Sequence, residues 1–341
     1  ISTNGTGDTT FTGAVGTTAL GNITITTDVL NAAAIKLAGT LSITNGGTSS
    51  ITGIISNGAS AAALTKAGTG SLSLSANNTY TGATTISAGT LQISGSGLLN
   101  NGSYSGNISI ASSATFRFSS SSNQTLSGVI SGDGSILIDG TGELTISGTS
   151  NTLTGGMDVG TGVLKISADS AFGSTPGSFD ATNITLKGGT LQFTSSFTIN
   201  ALRGITLDTG TSSTIIIDTG VTLTYNGVMA GSGNLTKSGS GTLQLGGTNT
   251  FTGNLVVSAG VLTITNPSAL GSSSGSTTIN SGALLNINIT DGLYWGSNID
   301  EPLSISGTGS GNGVLVNQGN QYVTYRGLVT LQANSTVRQD G

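Results

Sequence analysis

The sequence predicts an all-β chain: a right-handed, single-stranded parallel β-helix, a solenoid with coils of roughly 20 residues. Three observations predict it. Short strands recur behind glycines, the spacing between them is nearly constant, and no apolar period of 3.6 residues lasts long enough for a helix.

The strands come first. Gly-x-Leu-x-apolar occurs at Gly39-Thr-Leu41-Ser-Ile43, Gly70-Ser-Leu72-Ser-Leu74, Gly89-Thr-Leu91-Gln-Ile93 and Gly142-Glu-Leu144-Thr-Ile146. It returns at Gly162-Val-Leu164-Lys-Ile166, Gly189-Thr-Leu191-Gln-Phe193, Gly241-Thr-Leu243-Gln-Leu245 and Gly260-Val-Leu262-Thr-Ile264. Two apolar side chains two residues apart share one face of a strand. The glycine before them is expected to take the left-handed backbone of a tight turn.

Spacing then turns strands into coils. Gly70 to Gly89 is 19 residues, Gly142 to Gly162 is 20 and Gly241 to Gly260 is 19, room for about three short strands and their turns. Coils stacked ~4.8 Å apart bury their inward Leu, Ile and Val on one another. At roughly 20 residues each, 341 residues give about 17 coils in one continuous β-helix over 1–341, on the order of 80 Å long. Loops are expected near 95–105, 168–182 and 266–276, which lowers the count. Residues 290–341 read as a more irregular, aromatic-bearing end.

A larger unit also recurs. Residues 64–93 and 235–264 align without a gap, with 16 of 30 positions identical, and a diverged copy lies at 136–166. All three hold Asn-Thr-apolar-Thr-Gly: Asn78 to Gly82, Asn151 to Gly155 and Asn249 to Gly253. The tetrapeptide Thr10-Phe11-Thr12-Gly13 matches the tail of another copy. The run Leu-Thr-Lys-x-Gly-x-Gly-x-Leu-x-Leu (64–74 and 235–245), then Asn-Thr-Tyr/Phe-Thr-Gly, then Ser-Ala-Gly-x-Leu-x-Ile (87–93 and 258–264) resembles the autotransporter-associated β-strand repeat, also called the passenger-associated transport repeat. The middle copy lacks the Thr-Lys pair. The resemblance implies a β-helical bacterial protein, secreted or held at the cell surface and exported through an outer-membrane barrel, with stable repeats assisting export.

Composition narrows the function further. There is no cysteine and no histidine, so disulfides, thiolate metal sites and the commonest general base are excluded. The nine basic residues (Lys36, Lys66, Arg117, Lys165, Lys187, Arg203, Lys237, Arg326 and Arg338) are scattered, so no cationic stripe tracks phosphates or anionic lipid. No apolar run approaches the ~18 residues of a membrane span. The chain starts at Ile1, shows no cleavable leader and lacks a polar cap after Val337, and it is read as an internal piece of a longer one.

The candidate chemistry is thin. Asp139 and Asp158, 19 apart and each leading into a Gly-Thr-Gly turn, could converge on adjacent coils as the carboxylates of a carbohydrate-active β-helix do. Aspartate before a glycine turn is more simply a backbone cap. Asp133, Asp208, Asp218 and Asp291 raise calcium, but the tandem calcium nonapeptide is absent. Tyr80, Leu153 and Phe251 share one repeat position and are expected to pack. Tyr294, Trp295, Tyr322 and Tyr325 could form a glycan-stacking patch or anchor a loop. The Asn-x-Thr triplets at Asn22, Asn183 and Asn234 arise by composition.

No catalytic, cofactor-binding or metal-binding residue is therefore assigned, and no cofactor is expected. The leading reading is a structural or adhesive stalk of a secreted or cell-surface bacterial protein, an autotransporter passenger. The alternatives are a subunit of a self-assembling filament or sheath and a carbohydrate-active β-helix, lyase, hydrolase or tailspike. The expected partners are host or cell-surface glycans or proteins, or a second copy end to end. Neither nucleic-acid binding nor membrane insertion by this segment is expected.

Overall fold

The computed structural model describes residues 2–4, 7–290, 297–309, 313–318 and 323–339. The chain is an all-β parallel solenoid of about 14 turns, roughly 22 residues apart, with almost no helix. Short 3-10 turns such as Asn100–Gly102 and Asp169–Phe172 interrupt it. There are fewer turns than the coil length of roughly 20 residues predicts, because several coils are longer. Leu243 pairs with Leu262, 19 residues on, but Leu262 pairs with Leu285, 23 on, because the strandless corner 266–276 lies between them. The expected loop at 95–105 is partly strand, Leu98–Leu99 and Ser103–Tyr104. Asn100 and Asn101 turn the corner between them with φ of 44° and 52°.

Contacts divide the chain into two compact units, residues 1–165 with 170–174 and residues 166–169 with 175–341. In the first unit the strands Ser71–Leu74, Thr90–Gly95, Thr115–Ser120, Ser135–Ile138 and Met157–Val159 pair in parallel register. Leu72, Leu91, Phe116, Ile136 and Met157 stack in one inward column; Leu74, Ile93, Phe118, Ile138 and Val159 stack in the next. All ten are at most 1% exposed. In the second unit Leu223, Leu243, Leu262 and Leu285 form one such column, and Tyr225, Leu245, Ile264 and Ile287 another. Each fully buried aliphatic side chain contributes about 1.5–3 kcal/mol, and the period of two sends alternate residues outward. The Leu and the second apolar residue of all eight Gly-x-Leu-x-apolar strands are buried.

The turn glycines behave differently from the expectation. Gly89 and Gly260 are left-handed, with φ of +67° and +69°; Gly189 is not, and neither are Gly39, Gly70, Gly142, Gly162 and Gly241. Those five are held by close approach instead: a Cβ at Gly70 would strike the Gly47 carbonyl, and one at Gly241 the Asp218 carbonyl, in the coil below. Stacked corners leave no room for a side chain there.

In the second unit an ion pair between a buried arginine and a partly exposed aspartate secures the corner that opens at 168–182. Arg203, fully buried, donates from Nε to Asp169 Oδ1 at 3.0 Å and from Nη2 to Asp169 Oδ2 at 3.2 Å. Its Nη1 donates to Asn183 Oδ1 at 3.1 Å, and Tyr225 Oη donates to the Arg203 carbonyl at 2.7 Å.

Candidate functional site

The polar residues of the repeat carry its most specific geometry. Leu64-Thr65-Lys66 and Leu235-Thr236-Lys237 alternate, which sends both lysines inward beside the leucines. Lys66 stacks between Ile43 and Ile86, and Lys237 between Ile215 and Val257, each in an otherwise aliphatic column. Both side chains are fully buried. Among the described residues neither ammonium meets a carboxylate; each is enclosed by backbone carbonyls. Lys66 Nζ donates to Ala67 and Gly68 of its own turn at 2.8 Å and to Ala88 of the following coil at 3.2 Å. Lys237 Nζ donates to Gly239 and Gly241 at 2.7 Å and to Ala259 of the following coil at 2.8 Å. Three acceptors match the three protons of an ammonium. Burial pushes both groups down to about 8, because desolvation disfavours the charged form.

The asparagines act at a second corner. The Ile55 amide donates to Asn78 Oδ1 at 2.9 Å, and Asn78 Nδ2 donates forward to the Leu98 carbonyl at 3.2 Å. In the same way the Ile130 amide donates to Asn151 Oδ1 at 2.8 Å, and Asn151 Nδ2 reaches Ala171 at 3.3 Å. The Met229 amide donates to Asn249 Oδ1 at 2.8 Å, and Asn249 Nδ2 reaches Ala269 at 2.6 Å. Each buried asparagine thus spans three consecutive coils. The apolar residue two positions on is core: Tyr80, Leu153 and Phe251 are at most 1% exposed, so they form no outward aromatic track. Tyr80 is tied through Thr84 Oγ1 to Tyr104 Oη at 2.9 and 2.7 Å, and the two rings meet edge to face at 5.6 Å.

The acidic candidates are not register partners. Asp158 lies opposite Leu137 in the register and not opposite Asp139. Asp139 is paired instead with Arg117, one coil earlier, at 2.6 Å. That cation lies 22 residues before Asp139, an offset that spacings of 19–20 pass over. Lys165 is paired with Glu143 at 2.8 Å. Asp133 accepts from Thr154 Oγ1 at 2.6 Å, Asp218 from Gln192 Nε2 at 2.7 Å, and Asp208 shapes a turn closed by Thr211. Among the described residues no three His, Cys, Asp or Glu side chains group as a metal site. Asp291, Tyr294, Trp295 and Tyr322 lie outside the described residues. Tyr325 is described; its buried hydroxyl has no hydrogen-bond partner, and it feels the charge of Glu301. Asn22, Asn183 and Asn234 accept from the Thr40 amide, Arg203 and the Asn254 amide, so these asparagine oxygens serve the fold. No helix among the described residues is long and apolar enough to cross a membrane.

The lysine and asparagine corners were not singled out by the sequence reasoning. The signal was present: a lysine at the inward phase of an alternating strand, and an Asn-Thr pair that recurs where the aromatic does not.

What these corners define is a parallel β-solenoid with repeated inter-coil ties. The three repeat copies match the family model of the passenger-associated transport repeat, at residues 64–93, 139–166 and 235–264. The chain is also similar to the adhesin BmaC autotransporter of Brucella suis biovar 1 (strain 1330), with 38% identity over 116 residues. That match covers 34% of this chain and 3% of the length of the relative. No solved structure matches the chain significantly.

Proposed function

We propose that the chain is a passenger segment of an autotransporter-type adhesin, working outside the cell as a stiff support with an adhesive role. The observation that carries this reading is the recurrence of three passenger-associated transport repeats within a parallel solenoid. The adhesin relative supports the adhesive part. The work assigned to the chain is mechanical: continuous parallel hydrogen bonding, an aliphatic core and buried inter-coil ties hold the coils in register. Host or cell-surface glycans or proteins are the partners this role requires. A carbohydrate-active site receives no support from Asp139, whose carboxylate is engaged by Arg117, or from Asp158, which lies opposite Leu137.

The export half of the proposal is tested by following the coding sequence past residue 341. Segments of ~10 residues with alternating hydrophobicity and aromatic girdles would mark a transmembrane barrel. A cell-wall anchor or a cytoplasmic domain in that place would remove the autotransporter assignment.

A further inference from the structure

We propose that each lysine-bearing repeat is a coil-capture latch, in which Lys66 or Lys237 seizes the turn of the following coil and makes the neighbouring coils fold and open as one block. The geometry is directional. Each ammonium takes carbonyls from its own turn, at Ala67 and Gly68 or at Gly239 and Gly241, and one from the next coil, at Ala88 or Ala259. Until the following coil docks, a proton of a largely desolvated ammonium lacks its protein partner; docking supplies it.

The receiving turn is shaped for this. Ala88 and Ala259 sit in Ser-Ala-Gly, and the glycines after them, Gly89 and Gly260, take left-handed backbone. A Cβ on Gly260 would fall 2.5 Å from Lys237 Nζ, so glycine leaves the space that the ammonium enters. The Thr-Lys and Ser-Ala-Gly halves of the repeat, some 20 residues apart, are therefore two sides of one contact. Asn78 and Asn249 join the same coils at another corner, from Ile55 to Leu98 and from Met229 to Ala269. The middle repeat serves as an internal contrast. Its counterpart of the lysine is Ile138, which packs in the column without a side-chain donor, so of the two buried corner ties this repeat keeps that of Asn151 and lacks that of the lysine.

Hydrogen exchange on the full chain and on two single variants, Lys237→Met and Lys66→Met, tests the latch. Methionine keeps the aliphatic stem and removes the donor. In Lys237→Met the amides of Leu255–Val257 and Val261–Ile264 are expected to exchange at least tenfold faster, together, while those of Thr84–Ile86 and Thr90–Gly95 keep their rates. In Lys66→Met the pattern is reversed. The two lysines lie in separate units, so if one variant does not fold the other still gives the reading. Unchanged or slower exchange in the coil following the substitution would overturn the proposal, since methionine would then be serving as well as the latch. Faster exchange at the substituted strand alone, with the next coil unaffected, would overturn it too.

Discussion

Lys237 Nζ and the Ala259 carbonyl, 22 residues apart, meet at 2.8 Å inside the second unit, with no carboxylate among the described residues in contact with the ammonium. A charge held only by backbone dipoles responds to pH in a defined direction. Lys66 and Lys237 are pushed down to about 8 in the folded chain, below the ~10.4 of an exposed lysine. Between those values the unfolded chain binds more protons, so stability rises with pH from about 8 towards 10. Tyr104, pushed up to about 12 by burial, and Tyr80 and Tyr225, also raised by burial, act oppositely above pH 10. There the native state holds protons that the unfolded chain releases, and stability falls. Chemical denaturation from pH 7 to 11 should show a rise and then a fall; Lys66→Met with Lys237→Met should remove the rise.

Glu301 gives a second pH signature. It is 3% exposed, accepts from Thr277 Oγ1 at 2.9 Å through Oε1, and leaves Oε2 without a partner. Burial pushes it up to about 8. A raised carboxyl stabilises the fold fully below its unfolded value near 4.3, and that contribution is lost as pH rises towards 8. Glu301→Gln should flatten this dependence and raise the melting temperature at pH 8; a lower melting temperature at that pH would contradict it.

Asn249→Ala should cost about 1–3 kcal/mol, because the buried Met229 amide and Ala269 carbonyl both lose their partner. Asn77→Ala is the reference. Asn77 is exposed and bonds Asn101 at 3.0 Å, and its loss should stay within ~0.5 kcal/mol. Urea midpoints distinguish the two; equal shifts would mean that the inter-coil tie contributes nothing of its own.

The two arginine pairs should differ sharply. Removing the Asp169 carboxylate takes the paired charge from the fully buried Arg203 guanidinium and should cost about 3–5 kcal/mol, with protease cutting within 168–182. Arg117→Gln breaks a partly exposed pair, with side chains 41% and 20% accessible, and should cost under ~1 kcal/mol. Similar losses for Asp169→Asn and Arg117→Gln would contradict this ranking.

The fold was legible because its signal is periodic: Leu72, Leu91, Leu243 and Leu262 announce strands, and their spacing announces coils. The coil count was less legible, because corners such as 266–276 add length without strand pattern. The lysine corners were hidden for a chemical reason. Lysine is almost never fully buried without a partner, and the partners here are carbonyls, which every residue carries and no sequence pattern marks. The Arg117–Asp139 pair was missed because it is diagonal: Arg117 lies opposite Leu137 in the register, and its side chain reaches two residues further to Asp139. Tyr80 and Phe251 were read as packing from the leucine at Leu153, and burial agrees.

Display of residues 1–341 on a non-adherent Gram-negative host, through a signal peptide and a heterologous barrel translocator, tests the adhesive passenger role most directly. Protease shaving would score exposure, and counting bound cells on epithelial monolayers would score attachment against a barrel-only control. The predicted result is a chain shaved from intact cells that raises attachment severalfold. A chain retained in the periplasm, or one exposed at the surface with attachment no higher than the control, would contradict it.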